Sequence, residues 1–125
     1  MDTHHNKHTV VIGASEKPHR YSHSAVVQLK NNGYPVTAIG LKPGMIGETE
    51  IVSGFPKISN VHTVTLYVGP KNQPPFYDYI LNDLKPRRVI FNPGTENPEL
   101  EAFCRGHGIV PVENCTLMML TYGVF

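Results

Sequence analysis

The chain has 125 residues, room for one ordinary domain and little more. Its 40% hydrophobic content can build a core, and 17% charged residues is too small a share for a disordered chain. A formal net charge of +1 sets no strong field, so nucleic acid is not the expected partner and any useful basic character must be local.

Residues 1–8 are polar and include His4, His5 and His8. They predict a flexible, solvated arm ahead of the fold. Without an apolar segment the arm is not a secretory signal, and without organised supporting groups its histidines are not expected to hold a metal. Thr9-Val10-Val11-Ile12, ending at Gly13, is a β-branched run that reads as a buried strand. Ser22 to Asn32 reads as a helix, with Ala25, Val26 and Leu29 on one face and Asn31-Asn32-Gly33 as its stop. Val36 to Ile39 is a second strand. From Gly40 to Asn60 glycine and proline are frequent, which predicts mostly loop with a brief extended piece near Glu50 to Val52.

Thr63 to Val68 is a further strand, closed by Gly69-Pro70. Pro74-Pro75 predicts the start of a helix that carries Phe76, Tyr79, Ile80 and Leu84 at helical spacing and stops before Pro86. Arg88 to Phe91 is strand again. Asn97-Pro98-Glu99 opens another helix as cap, first-turn proline and first-turn acid, and Gly106-His107-Gly108 ends it. Ile109 to Val112 is the last strand. The apolar tail Thr116 to Phe125 packs on its own domain, covers a sheet edge or meets another subunit. Strands apolar on both faces, alternating with helices, predict an α/β fold: a doubly wound, mostly parallel five-stranded, Rossmann-like sheet in a single domain over residues 9–125.

Cys104 and Cys115 match neither a disulfide framework nor a metal-ligand spacing and are expected to be free, mostly buried thiols. No apolar run approaches the roughly 20 residues that span a bilayer. The expected setting is cytoplasmic, away from membranes.

In an open parallel sheet, ligands bind beyond the carboxyl ends of the strands. The segments to read are therefore 13–21, 40–47, 69–75, 92–96 and the chain from 113 on. The first joins a strand to a helix whose free N–H groups favour an anion. Gly13 and Ala14 let a phosphate come near, Ser15 and Ser22 offer hydroxyls, and Lys17 and Arg20 offer charge. A strand-to-helix loop also needs a glycine for its turn, so these residues fit a purely structural loop as well. The nicotinamide-dinucleotide fingerprint is poorly met: Gly13 lacks its two partner glycines, and Lys42 stands where an acid should grip the ribose. Neither a Gly-x-x-x-x-Gly-Lys loop nor a Gly-x-Ser-x-Gly elbow is present.

Val10-Val11-Ile12-Gly13-Ala14-Ser15, Lys17-Pro18 and Arg20-Tyr21-Ser22 are followed in order by Lys42-Pro43-Gly44, Tyr67-Val68-Gly69-Pro70, Asn92-Pro93-Gly94 and Asn114-Cys115. This ordered set resembles the CoA-binding domain family, the Rossmann domain of the succinyl-CoA synthetase alpha subunit that also occurs as small single-domain bacterial proteins. The resemblance implies coenzyme A or an acyl-CoA as ligand. It implies that Gly13, Ala14 and Ser15 hold the pyrophosphate with help from Lys17, Pro18, Arg20 and Ser22. Lys42 and Pro43 would lie by the ribose phosphate, Val68 and Pro70 by the adenine, and Asn92, Pro93 and Gly94 along the pantetheine arm. The chain departs from the small members at Gly40-Leu41 and at Asn92-Pro93.

The synthetase's phosphorylated histidine belongs to a further domain, and His19, His23, His62 and His107 form no nucleophile–base–orienter pattern. No catalytic residue is assigned. The leading expectation is a non-catalytic carrier or sensor of a small nucleotide ligand. Two alternatives stay open: an enzyme of uncertain reaction using NAD(P) or CoA, with Cys115 or a histidine at the site, and an interaction protein with a degenerate site. A protein partner or a homodimer also stays open.

Overall fold

The computed structural model describes residues 6–125, and the chain runs β1 (Thr9–Ile12), α1 (Tyr21–Asn31), β2 (Val36–Ile39), β3 (Gly44–Ile46), β4 (Thr49–Val52) and β5 (Thr63–Leu66). After two short turns and a π-helical turn come β6 (Arg88–Phe91), α2 (Pro98–Gly106), β7 (Val110–Glu113) and α3 (Thr116–Thr121). The strands form a sheet in the order β3-β4-β2-β1-β5-β6-β7. Among the described residues only the β3–β4 pair is antiparallel.

The run Val10-Val11-Ile12 is central because it is apolar on both faces: all three residues are fully buried. A strand with no polar face has to be covered on both sides, and it is. On one face Val26 and Leu29 of α1 and Met119 of α3 join Val11, Ala38 and Ile90 in a core cluster. On the other face Ile80, Leu84, Leu100 and Cys104 pack with Val10, Ile12, Leu66 and Phe91. The apolar tail therefore packs on its own domain, and Phe125 at its end is buried against Tyr34.

The doubly wound, mostly parallel α/β expectation stands, with seven strands among the described residues in place of five. The extra two lie in the segment expected to be mostly loop. Ile46 and Ile51 are buried while Met45 and Glu50 face out, so the hairpin contributes its apolar residues to the core through an alternation too short to read alone. A second difference lies between β5 and β6. Pro74 and Pro75 remove two successive N–H donors, and the chain winds as tight turns, with Gln73 N–H bonded to Pro70 O and Phe76 N–H to Gln73 O. Tyr79–Leu84 is then π-helical, closed by Lys85 N–H on Ile80 O with Lys85 left-handed at φ 45°.

Met1 to His5 of the expected flexible arm, with His4 and His5, lie outside the described residues. Lys7 and His8 are docked rather than loose. The Lys7 ammonium donates to Phe125 O at 2.9 Å, the His8 ring meets Thr37 Oγ1 at 2.7 Å, and His8 O accepts from the N–H groups of His62 and Thr63.

Candidate functional site

β1 leads left to β2 and β4, whereas β5, its other neighbour, begins the run to the right. The switch point of strand order thus lies between β1 and β5, where the loops above the sheet part and leave a crevice. A cleft of about 1250 Å³ occupies it. The loops approach so closely that glycine is required twice. A Cβ on Gly13, whose φ is +98°, would lie 2.9 Å from the carbonyl carbon of Tyr67. One on Gly40 would overlap Ala14 O, which accounts for glycine after β2 in this chain.

The loop after β1 forms one wall. Its Ser15 Oγ accepts from Lys17 N–H at 3.1 Å, and Ser15 O accepts from His23 Nδ1, also at 3.1 Å, so a helix histidine steadies the loop from behind. α1 starts at Arg20 without any side-chain cap and without an acid in its first turn. Its first turn therefore supplies no counter-charge to its dipole, in a cleft lined by Lys17, Arg20, Lys42 and Lys71 and by one acid, Glu16. Ser22, in the first turn and buried, also lines the cleft.

The opposite wall is built and satisfied by the protein itself. Gln73, fully buried, donates to Val68 O and Thr95 O and accepts from Asn97 Nδ2 at 2.9 Å. Asn97 also caps α2, its Oδ1 accepting from the N–H groups of Glu99 and Leu100, and it donates to Tyr77 Oη. This network locks the loops after β5 and β6 to each other. The aromatic rings of Phe55, Phe76 and Tyr79 meet edge to face at 5.5 and 5.2 Å, and the first two line the cleft. Burial of Tyr67, also on the cleft, pushes its phenol up to about 12.

Of the residues singled out from the sequence, Gly13, Ala14, Ser15, Lys17, Arg20 and Ser22 line the cleft, as do Lys42, Val68, Pro93 and Gly94. Pro18, Pro43 and Pro70 are not in its lining. Asn92 is corrected: its amide is turned inward. Nδ2 donates to Thr65 Oγ1 and Leu66 O, and Oδ1 accepts from Thr116 N–H, so both of its donors are committed to the fold and it shapes the loop from beneath. Sequence reasoning missed Phe55 because the extended piece expected near Glu50 to Val52 was not placed in the sheet; as β4 it runs parallel to β2, so the segment after it joins the same rim. It missed Glu16 as well, whose partner lies 29 residues away.

Cys104 is buried, and burial together with Glu101 pushes its thiol up to about 11, which makes it inert at neutral pH. Cys115 is half-buried rather than fully so. Among the described residues there is no group of three or more His, Cys, Asp or Glu side chains that could hold a metal ion. Nor is any helix among them long and apolar enough to cross a membrane.

A switch-point cleft with an uncapped helix start and clustered cations suits a phosphate-bearing ligand. The sequence model of the CoA binding domain matches residues 7–121. The chain belongs to that family. A crystal structure of an uncharacterized protein is 47% identical over 95% of this chain and 98% of its own, with a TM-score of 0.92. A hypothetical protein from Pyrococcus horikoshii OT3, 23% identical over 98% of this chain and 85% of its own, has a TM-score of 0.83. A Thermus thermophilus protein described as cell-free ID.343 is 22% identical over 95% and 90%, with a TM-score of 0.81. The last two share the fold. No curated protein matches the sequence.

Proposed function

We propose that this CoA-binding-domain chain binds coenzyme A or an acyl-CoA in the switch-point cleft, as a carrier or sensor without chemistry of its own. The diphosphate lies over Gly13, Ala14 and Ser15 at the start of α1, with Lys17 and Arg20 beside it. Lys42 reads the ribose phosphate, Val68 and the aromatic pair Phe55 and Phe76 border the adenine, and the pantetheine arm runs along Pro93 and Gly94. The observation that carries the reading is the uncapped, acid-free start of α1, whose first residues Tyr21 and Ser22 line the cleft together with four cations. Family membership supplies the choice of coenzyme A among phosphate-bearing ligands. Lys42, in the place of a ribose-gripping acid, weighs against NAD.

The test is a thermal-shift titration against CoA, acetyl-CoA, NAD, NADP and ATP. A ligand at a hundred times its dissociation constant adds about 2.7 kcal/mol of apparent stability. A shift confined to CoA compounds is the expected outcome. A shift with NAD, or none with any ligand, contradicts the reading and returns the chain to the dinucleotide or interaction-protein alternative.

A further inference from the structure

One carboxylate sits within the anion-binding wall, and its position calls for an explanation. Glu16 lines the cleft beside Lys17, Arg20 and Lys42, where a free negative charge would repel a phosphate. It is not free. Its Oε2 accepts the N–H of Met45 at 3.0 Å. To reach that N–H the side chain lies across the α-carbon of Gly44, where a Cβ would overlap the Glu16 carboxyl carbon and Cγ. Gly44 is not among the positive-φ glycines, so the missing side chain there serves this close approach rather than a turn.

The bond adds a second tie between two segments that already meet at their base, where the N–H groups of Gly13 and Ala14 donate to Ile39 O. Gly44 and Met45 begin β3, an edge strand that pairs only with β4. Between Gly40, whose N–H is held by Val52 O, and Met45, held by Glu16, the exposed segment Leu41-Lys42-Pro43 forms a short bridge. Lysine carries a point charge on a long flexible stem, so where its ammonium can reach depends on how firmly its backbone is placed.

We propose that Glu16 is a positioning residue. By clamping the Gly44–Met45 peptide to the loop after β1, it sets the distance from Lys42 to Ser15 and Arg20. The site then accepts a ligand whose diphosphate and ribose phosphate are spaced to match, and Glu16 determines specificity for the ribose 3′-phosphate without touching it. This inference rests on the reading given under Proposed function.

The test is calorimetric: dissociation constants of CoA and dephospho-CoA for wild type, Glu16→Ala, Glu16→Gln, Gly44→Ala and the Glu16→Ala/Gly44→Ala double variant. The readout is the ratio of the two constants, because removing the Glu16 charge by itself favours CoA, the more highly charged ligand, so a fall in the preference for CoA reports the lost clamp and not the lost charge. Gly44→Ala keeps the charge and displaces only the far end of a flexible side chain, so it breaks the clamp in a second, independent way. Wild type is expected to prefer CoA at least tenfold. Each single variant is expected to cut that preference at least threefold, and the double variant no further, as for two changes that remove one interaction. Glu16→Gln, whose amide oxygen still accepts from Met45, restores most of the preference. A wild type without preference overturns both this inference and the Lys42 assignment. A wild-type preference that survives in Glu16→Ala and Gly44→Ala, or falls additively in the double variant, overturns the clamp alone.

Discussion

Two helices start on the same rim of the sheet and are finished in opposite ways. α2 begins at Asn97, whose side chain accepts from two first-turn N–H groups, and carries Glu99 and Glu101 in its first turn. α1 begins at Arg20, with no side-chain cap and no acid. Free helix N–H groups and cations close to a positive dipole end are locally unfavourable, so α1 gives up stability that α2 keeps. The protein closes one helix start internally and leaves the other for an anion. That asymmetry, rather than the glycine of the first loop, distinguishes a binding loop from a structural one.

The strongest way to break the comparison is Asn97→Ala. It removes the α2 cap, worth about 1 kcal/mol, and leaves buried Gln73 with an unpartnered oxygen, a further cost of about 1–3 kcal/mol. Urea unfolding should show a loss of about 2–4 kcal/mol, while a loss under about 1 kcal/mol would mean the network is not what holds that wall. Arg20→Ala should behave in the reverse sense. Unfolding stability stays within about 0.5 kcal/mol of wild type, and CoA affinity falls about 10- to 150-fold, the equivalent of about 1.5–3 kcal/mol. Lys42→Ala sharpens the picture by ligand: CoA weakens by a similar factor and dephospho-CoA hardly changes, as calorimetry on both ligands would show.

The smallest effect concerns the opposite end of the strands. Burial lowers the His8 and His62 imidazole pKa values, and for His62 the nearby Arg88, Lys7 and Arg87 add to it. The folded values lie below the unfolded one, so the unfolded chain binds more protons and stability falls as pH drops through about 6.5. Glu101, raised chiefly by burial and then by Glu113, acts in the other direction, so the comparison is made against a variant rather than in absolute terms. His62→Gln should lose less stability than wild type between about pH 7.5 and 5.5 in urea titrations. An equal loss would remove His62 from this account.

How far the sequence could be read follows from where each signal resides. β1 and β6 announce themselves because apolar residues fall on both faces, and β2 and β5 because they are short runs rich in β-branched residues, both local properties. The Asn97-Pro98-Glu99 start of α2 is equally local, and its cap is present as expected. The β3–β4 hairpin is stabilised by pairing with β2 and by two isoleucines reaching the core, and neither is visible in a glycine-rich stretch. The π-helical turn over Tyr79–Leu84 carries apolar residues at spacings that an α-helix would share. In the cleft, the loop from Gly13 to Ser22 was legible from its residue types. Gln73, Phe55 and Glu16 were not, since each acts through partners distant in sequence, and Asn92 was legible as important but not as inward-facing.

The most direct test of the two helix starts is amide hydrogen exchange with and without saturating CoA. Slowed exchange in residues 13–22 and 40–45, with residues 97–101 unchanged because Asn97 already holds that helix start, is the predicted result. Protection at 97–101, or none at 13–22, would contradict the claim that the open start of α1 is where the ligand binds.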